Sequence, residues 1–374
     1  MQKIRGKNNE AIVFTDRLED VAAKQIERLC DQEFVRGSKI RIMPDAHAGA
    51  GCTIGTTMTI IDKVVPNLVG VDIGCGMLVH RIRRRKVDFA ALDQVIRAHV
   101  PSGFAVREKP HAFVAKTGIE DLRCIRNVDL ERARLSVGTL GGGNHFIEMD
   151  RDEEDGLYLV IHSGSRHLGK QIAEHYQRLA ADDLIQRSKG RNVARADRDL
   201  AYLENGLFHA YLHDMAIAQR YAAINRQAMA QLILEKTGLI STGNFSTVHN
   251  YIDTDAMILR KGAISARQGE QVLIPMNMRD GSIIAVGKGN DEWNQSAPHG
   301  AGRLMSRKEA FRTLSMKDFQ ATMAGIFTTT LTKKTLDEAP AAYKPMTEIV
   351  ESMRPSVEIL KRLRPVYNFK SAGD

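Results

Sequence analysis

Glycine-rich turns between strand-like segments recur along this chain of 374 residues and restrict its fold more than any other feature. Residues 40–61, IRIMPDAHAGAGCTIGTTMTII, predict a strand, a glycine-rich turn and a second strand, and residues 67–82, NLVGVDIGCGMLVHRI, repeat the pattern. Residues 145–162 predict a hairpin in which an acidic turn joins HFIEM to LYLVIH. Further strands are predicted within residues 256–266, 271–276 and 282–289.

Apolar residues at helical spacing predict helices over residues 17–35, 89–100, about 167–188 and about 207–237. Asp88 is suited to cap the second of these helices, and short helices and loops are expected over the last seventy or so residues. Because strands and helices are clustered rather than strictly alternating, we expect an α+β fold. We expect one large domain, residues 1–374, with mixed or antiparallel sheets and flanking helices around a central metal-containing cleft.

The charge balance favours an anionic partner. The chain has 53 lysine and arginine residues against 45 acidic residues, a net charge of +8, and nucleic acid is the leading candidate. The densest basic cluster is RIRRRK, residues 81–86. Arg83 to Arg85 are candidates for a phosphate-binding track, and a solvated basic edge that discourages strand pairing is the alternative.

The composition also bears on location. The polar stretch MQKIRGKNNE at the start of the sequence lacks the apolar segment of a secretory signal, and no run of about 18 apolar residues predicts a membrane span. The scattered spacing of Cys30, Cys52, Cys75 and Cys124 does not predict a disulfide framework. We therefore expect a cytoplasmic protein without a membrane partner.

Metal-binding residue types lie at strand ends or in turns rather than on helix faces. One carboxylate, one thiolate and three imidazoles offer more donors than a single closed tetrahedral site needs: Asp72, Cys75, His145, His162 and His249. A thiolate has spare lone pairs and can bridge two cations. Thiolate and imidazole ligands favour manganese, cobalt, zinc or iron over magnesium or calcium alone.

Two glycine-rich stretches suit close approach of a phosphate. The loop TLGGGN, residues 139–144, either cradles a phosphate with its backbone N–H groups or forms a simple turn. In NQSAPHGAGR, residues 294–303, the small residues around His299 allow a large ligand to reach the imidazole, with Arg303 available to neutralise its charge. An ordinary turn into the next helix is the alternative.

Seven motifs together resemble the RtcB family of RNA-splicing ligases. They are, in order, MPDAHAGAGCTIG, VGVDIGCGM, GTLGGGNHFIE, HSGSRHLG, VHNY, RKGA and HGAGR, and the similarity runs from about residue 40 to the end of the sequence. The resemblance implies a GTP- and manganese-dependent ligase for RNA splicing, repair or tRNA processing. Such a ligase joins an RNA 3′-phosphate or 2′,3′-cyclic phosphate end to a 5′-hydroxyl end through a guanylylated histidine and an RNA–ppG intermediate.

The resemblance also implies roles for individual residues. The five donors above match the family's ligands to two manganese ions, with Cys75 as the bridge, and His299 matches the histidine that becomes guanylylated. The implied nucleotide contacts are Asn144, Glu148, His249, Asn250, Pro275, Asn277, Met278, Ser282, His299, Gly300, Ala301, Gly302 and Lys370. The stretch PMNMRDGS, residues 275–282, departs from the family pattern, since Asn277 replaces a serine and Arg279 and Asp280 add charge.

Two other functions fit parts of the pattern. A metal-dependent phosphoesterase or RNA-end-processing hydrolase would use the same donors without a nucleotide, but it would leave the PHGAGR segment unexplained. A non-catalytic RNA-binding protein with a structural metal is the third alternative. The resemblance leaves open whether an archease-type activator is required. For His47, within PDAHAGAG, a contact to bound phosphate and a structural hydrogen bond are the two alternatives.

Overall fold

The structure is a computed structural model that describes residues 1–83, 86–188 and 194–371. Two arginines of the predicted basic track, Arg84 and Arg85, therefore lie outside the described residues.

The elements are numbered in chain order. The first half contains β1 (Gln2–Arg5), β2 (Glu10–Val13), α1 (Asp20–Cys30), β3 (Ile40–His47), β4 (Ile54–Thr59), β5 (Lys63–Val64), β6 (Gly76–Ile82), α2 (Phe89–His99), α3 (Leu130–Ser136), β7 (Phe146–Arg151), β8 (Leu157–Ser163) and α4 (Arg166–Arg187). The second half contains α5 (Arg195–Arg198), β9 (Leu203–Glu204), α6 (Asn205–Thr237), β10 (Ser241–Val248), β11 (Asn250–Asp253), β12 (Ile258–Lys261), β13 (Ala263–Ser265), β14 (Gln271–Asn277), β15 (Gly281–Gly287), β16 (Ser296–Pro298), α7 (Arg307–Thr313), α8 (Met316–Thr322), β17 (Phe327–Thr328), α9 (Met346–Met353) and β18 (Val357–Lys370).

Two larger sheets form the body of the fold. One has the strand order β1-β2-β3-β4-β12-β11, and the other has the order β10-β6-β8-β7-β18-β15-β14, with β17 added beside β18. Only the pairs β2–β3 and β17–β18 are parallel among the described strands. The predicted α+β class with mixed sheets is therefore confirmed.

The second sheet curls until its edge strands meet. The Leu273 N–H in β14 donates a hydrogen bond of 3.0 Å to Thr247 Oγ1 in β10. Alternate residues of the strands fill the enclosed space with apolar side chains, including Phe146, Val160 and Ile284. The long helix α6 packs against the outside of the curl and carries buried residues on all its faces, which is typical of a helix inside a core.

Most of the predicted elements are present. Helices α1, α2, α4 and α6 and the hairpin of β7 and β8 confirm the predictions, and the Asp88 carboxylate caps α2 by accepting from the N–H groups of Ala90 and Ala91.

Two predictions were wrong. Residues 66–68 form a turn rather than a strand, because the N–H groups of Leu68 and Val69 bond to nearby carbonyls and leave no donors for a ladder. The end of the chain is not only short helices and loops: β18 lies between β7 and β15 in the curled sheet, where a bulge between Pro365 and Tyr367 accommodates the proline. Across the described residues, no helix is both long and apolar enough to cross a membrane.

Candidate active site

The sheet order brings the predicted metal-binding residues to one edge of the curled sheet. Asp72 and Cys75 precede β6, His145 precedes β7, His162 lies at the end of β8, and His249 follows β10. These four strands are adjacent and antiparallel, so the starts of β6 and β7 meet the ends of β8 and β10. Five residues that are far apart in the sequence thus become neighbours.

The donor atoms form two groups that share the thiol. Cys75 Sγ lies 3.2 Å from His162 Nε2 and 3.5 Å from His145 Nε2, and Asp72 Oδ2 lies 3.1 Å from His145 Nε2. One group is Cys75 with His162 and His249, the other is Cys75 with Asp72 and His145, and within each group the donor atoms lie within 4.8 Å of one another. This geometry suits a metal-binding site and leaves room for a thiolate shared between two cations.

Hydrogen bonds behind the imidazoles select the nitrogen that faces the thiol. His145 Nδ1 lies 3.0 Å from the Leu140 carbonyl oxygen, and His162 Nδ1 lies 3.1 Å from the Asn144 carbonyl oxygen. Because a carbonyl only accepts, Nδ1 of His162 carries the proton and its Nε2 presents a lone pair toward Cys75, whereas Nδ1 of His145 also faces Arg166 Nη1 at 3.4 Å. Both carbonyls belong to the TLGGGN loop, so this loop orients the donor set.

The electrostatics of the donor set also fit a cation. Burial and the Asp72 carboxylate raise the pKa of the Cys75 thiol, and burial lowers the pKa of His162 and of His249. Burial also raises the pKa of Asp72, but interactions with His145 and Cys75 outweigh it and bring the pKa to about 2. Neutral imidazoles and an ionised carboxylate are the states that ligate metals, and a bound cation would supply the charge that stabilises the thiolate.

A buried arginine on α6 supports the loops that carry the donors. Arg226 Nη1 donates bonds of 2.8 Å to the carbonyl oxygens of Gly74 and Ser163, one on each side of the site. Gly164 has no room for a side chain, since an added Cβ would lie 2.0 Å from Asp72 Oδ1. Sequence reasoning did not single out either residue.

His299 is held by a carboxylate that sequence reasoning missed. Asp45 Oδ2 lies 2.6 Å from His299 Nδ1 and also accepts the backbone N–H groups of His299 and Gly300, at 3.1 and 3.3 Å. Asp45 is completely buried in β3, and its Oδ1 has no hydrogen-bond partner among the described residues. The PDAHAGAG motif contains this aspartate, but only a contact across the fold distinguishes it from an ordinary strand residue.

The proton on Nδ1 leaves Nε2 of His299 as the ring nitrogen with a free lone pair. The ring centroid lies 5.2 Å from that of His249, so the free nitrogen belongs to the same site as the metal-binding residues. The backbone of this turn requires glycine at position 302. Gly302 has a φ of 72°, and an added Cβ would lie 2.3 Å from the Asp45 carbonyl oxygen.

A cavity of about 500 Å³ opens beside these groups. It is lined by Asp72, Cys75, His162 and His249 and by most of the predicted nucleotide contacts: Asn144, Glu148, Asn250, Pro275, Asn277, Met278, His299, Gly300, Ala301, Gly302 and Lys370. His145 and Ser282 are absent from this lining. Ser282 is fully buried in β15, the strand that lies between β14 and β18.

Two further acidic groups, Glu148 and Glu338, line the cavity. Glu148 accepts a bond of 2.6 Å from Asn368 Nδ2, and burial raises its pKa to about 7 against the opposing effects of Asn368 and Lys370. Glu338 lies 2.8 Å from Lys370 Nζ and was not predicted from the sequence. Arg303 is also engaged there, since its Nη1 lies 3.3 Å from Glu338 Oε1.

The departing stretch PMNMRDGS forms the turn between β14 and β15. The Asn277 side chain bonds to the Asp280 carboxylate at 2.8 Å and accepts the backbone N–H groups of Arg279 and Asp280. The Asn277 amide thus stabilises the turn. Met278 lies in the same apolar cluster as Phe319.

Comparisons with known proteins show which family the chain resembles. A family model described as "tRNA-splicing ligase RtcB" matches residues 25–122 and 115–371. The chain is 34% identical over 355 residues to the RNA-splicing ligase RtcB of Escherichia coli K12, covering 83% of this chain and 85% of the relative. It is 33% identical, with the same coverage, to the RNA-splicing ligase RtcB1 of Escherichia coli ATCC 25922, and 27% identical to the tRNA-splicing ligase RtcB of Pyrobaculum aerophilum, covering 83% of each chain.

The fold, the metal-binding geometry and these similarities define the chain as an enzyme of the RNA ligase class. More specifically, it belongs to the RtcB family.

Proposed function

We propose that this RNA ligase is GTP- and manganese-dependent and joins an RNA 3′-phosphate or 2′,3′-cyclic phosphate end to a 5′-hydroxyl end, with His299 as the residue that becomes guanylylated. Two manganese ions would be held by Asp72, Cys75, His145, His162 and His249, with Cys75 shared between them.

The pairing of Asp45 with His299 is the observation that carries the proposal. A buried carboxylate 2.6 Å from Nδ1 keeps the proton on that nitrogen and leaves Nε2 as a nucleophile. A phosphoesterase that activates water at a metal needs no nucleophilic nitrogen, whereas transfer of a guanylyl group to the chain does. The ring lies next to His249 and lines the same cavity, so a bound nucleotide can reach both groups.

The proposed reaction has three transfers at phosphorus. His299 Nε2 forms a bond to the α-phosphorus of GTP, and the bond to the β-phosphate oxygen breaks, which releases pyrophosphate. An oxygen of the RNA 3′-phosphate then attacks the same phosphorus and displaces the imidazole, which gives RNA–ppG. The 5′-hydroxyl of the second strand finally attacks the RNA phosphorus, and GMP leaves. A cyclic phosphate end must first add water and open to the 3′-phosphate.

The residues of the chain have distinct parts in this scheme. Asp45 stabilises the positive charge that the His299 ring acquires when Nε2 bonds to phosphorus. The metal pair, when bound, would neutralise phosphate charge beside His299. Asn144, Glu148 and Lys370 line the same cavity and are the proposed contacts to the nucleotide.

Covalent labelling tests the proposal directly. Wild-type protein incubated with manganese and GTP labelled at the α-phosphorus should retain the label after denaturation, and His299→Ala should not. The variant His209→Ala serves as the control, because His209 is exposed on α6 and does not line the cavity. Wild-type protein that ligates RNA or hydrolyses its ends without ever retaining label would refute the guanylylated histidine and favour the phosphoesterase alternative.

A further inference from the structure

A second pocket adjoins the nucleotide cavity. It has a volume of about 370 Å³ and shares Arg307, Glu338 and Lys370 with that cavity. Its remaining walls come from α7, from the turn over residues 333–338, from Gly143 in the TLGGGN loop and from Ser371 directly after β18. The two pockets therefore lie side by side, with Arg307, Glu338 and Lys370 between them.

The pocket contains two lysines without acidic partners. Lys333 and Lys334 are exposed, and neither forms an ion pair within the described ranges of the chain. The two acids in the pocket are already matched: Glu338 pairs with Lys370 at 2.8 Å, and Asp337 lies 3.7 Å from Arg307. The lysine charge is therefore available to an external anion.

An exposed phenylalanine stands in the same pocket. Phe311 on α7 leaves 48% of its surface accessible, and it has no ring partner among the residues that the structure describes. An exposed aromatic ring next to lysines is the arrangement with which proteins bind single-stranded nucleic acid, because bases stack on the ring and phosphates pair with the cations. A plain basic surface would not require the ring.

Side-chain hydrogen bonds fix both α7, which carries Phe311, and the turn that carries Lys333 and Lys334. The Ser306 side chain caps α7 by accepting the Glu309 N–H at 3.2 Å. The turn that carries the lysines is closed by Thr335, whose hydroxyl donates to the Thr330 carbonyl oxygen at 2.9 Å and accepts the Thr332 N–H at 3.0 Å. The ring and the two ammonium groups are thus presented on fixed backbone.

We propose that this pocket, which we call the Phe311–lysine pocket, binds the single-stranded RNA next to the ligation junction, with one base stacked on Phe311 and adjacent phosphates paired with Lys333 and Lys334. The proposal rests on the RNA ligase function but not on the guanylylated histidine. It makes these three residues positioning residues for RNA.

Binding of short RNA oligonucleotides tests the pocket. For a fluorescent oligonucleotide that ends in a 3′-phosphate and another that starts with a 5′-hydroxyl, Phe311→Ala should weaken the binding of at least one strand by about 5- to 150-fold. Phe311→Trp should retain binding, because it keeps a stacking surface. Lys333→Ala combined with Lys334→Ala should lower the slope of log binding constant against log salt by about 1.4.

The control is Lys308→Ala, an exposed lysine on the same helix that does not line the pocket. Labelling of His299 by GTP, measured on the same preparations, should be unchanged in all variants. If the pocket variants bind both strands with wild-type affinity and salt dependence, the Phe311–lysine pocket is not an RNA site. If they lose RNA binding while the wild type takes up no GTP label, the pocket proposal stands and the guanylylation proposal fails.

Discussion

Replacing Asp45 by asparagine removes the negative charge next to His299 Nδ1 but keeps the size and shape of the side chain. Three N–H groups converge on Asp45 Oδ2, from His299 Nδ1 and from the backbones of His299 and Gly300. An amide nitrogen in that position would oppose all three donors. We therefore expect the introduced asparagine to place its oxygen there and its NH₂ group at the position of Asp45 Oδ1, where the described residues offer no partner.

The size of the effect follows from this orientation. The variant keeps the proton on His299 Nδ1 but replaces a charged acceptor by a neutral one. Bonds to charged groups contribute about 1.5–3 kcal/mol and neutral bonds about 1 kcal/mol, so the loss is about 0.5–2 kcal/mol. Because the ring becomes positive only as Nε2 bonds to phosphorus, the loss falls on the transition state. Guanylylation should slow by about 2- to 30-fold.

Single-turnover labelling with α-labelled GTP and manganese measures this rate. Asp93→Asn is the matched control, since Asp93 is also buried and accepts from Arg97, Thr329 and Tyr367 instead of from His299. Guanylylation of Asp45→Ala should be much slower than that of the wild type. The substitution should also lower the free energy of unfolding by about 2–6 kcal/mol, because two backbone N–H groups lose their acceptor. A rate for Asp45→Asn equal to wild type, or reduced by more than about 1000-fold, would refute the reasoning.

Three further outcomes are expected. Cys75→Ser should lower metal affinity by at least about 10- to 100-fold in mass-spectrometric metal analysis, while Cys30→Ser should leave it unchanged. Gly164→Ala should also reduce metal content, because its Cβ would displace Asp72. Glu338→Gln should reduce the acid sensitivity of the fold. Burial raises the pKa of Glu338, but nearby cations bring it to about 2 from 4.5, so about 3 kcal/mol of the free energy of unfolding is present above pH 4.5 and disappears as the pH falls toward 2.

Each of these has its own control and contrary result. Gly206→Ala adds a methyl group where nothing lies within 4 Å and should keep the full metal content. Two metal equivalents retained by Cys75→Ser would contradict the shared thiolate. For Glu338, urea unfolding at several pH values should show that the free energy of unfolding falls less below pH 4.5 in the glutamine variant than in the wild type. Parallel curves for the two proteins would show that the Lys370 pair does not cause the acid loss.

Local sequence determined the kinds of residue in the site and where each lies relative to its strand. Cysteine and histidine at glycine-rich strand ends indicated metal-binding chemistry, and the order of seven motifs indicated the family. The alternation in β7 and β8 and the periodicity of α6 could be predicted because each depends on residues a few positions apart.

Tertiary structure decided which groups act on one another. Asp45 and His299 are 254 positions apart, and Lys370 reaches Glu338 only because β18 is inserted between β7 and β15. No local pattern records the order of strands in a sheet, since an antiparallel edge brings together residues from any part of the chain. The residue types could therefore be predicted from the sequence, whereas the free nitrogen of His299 depends on a contact that exists only after β16, which pairs with β13, has packed against β3.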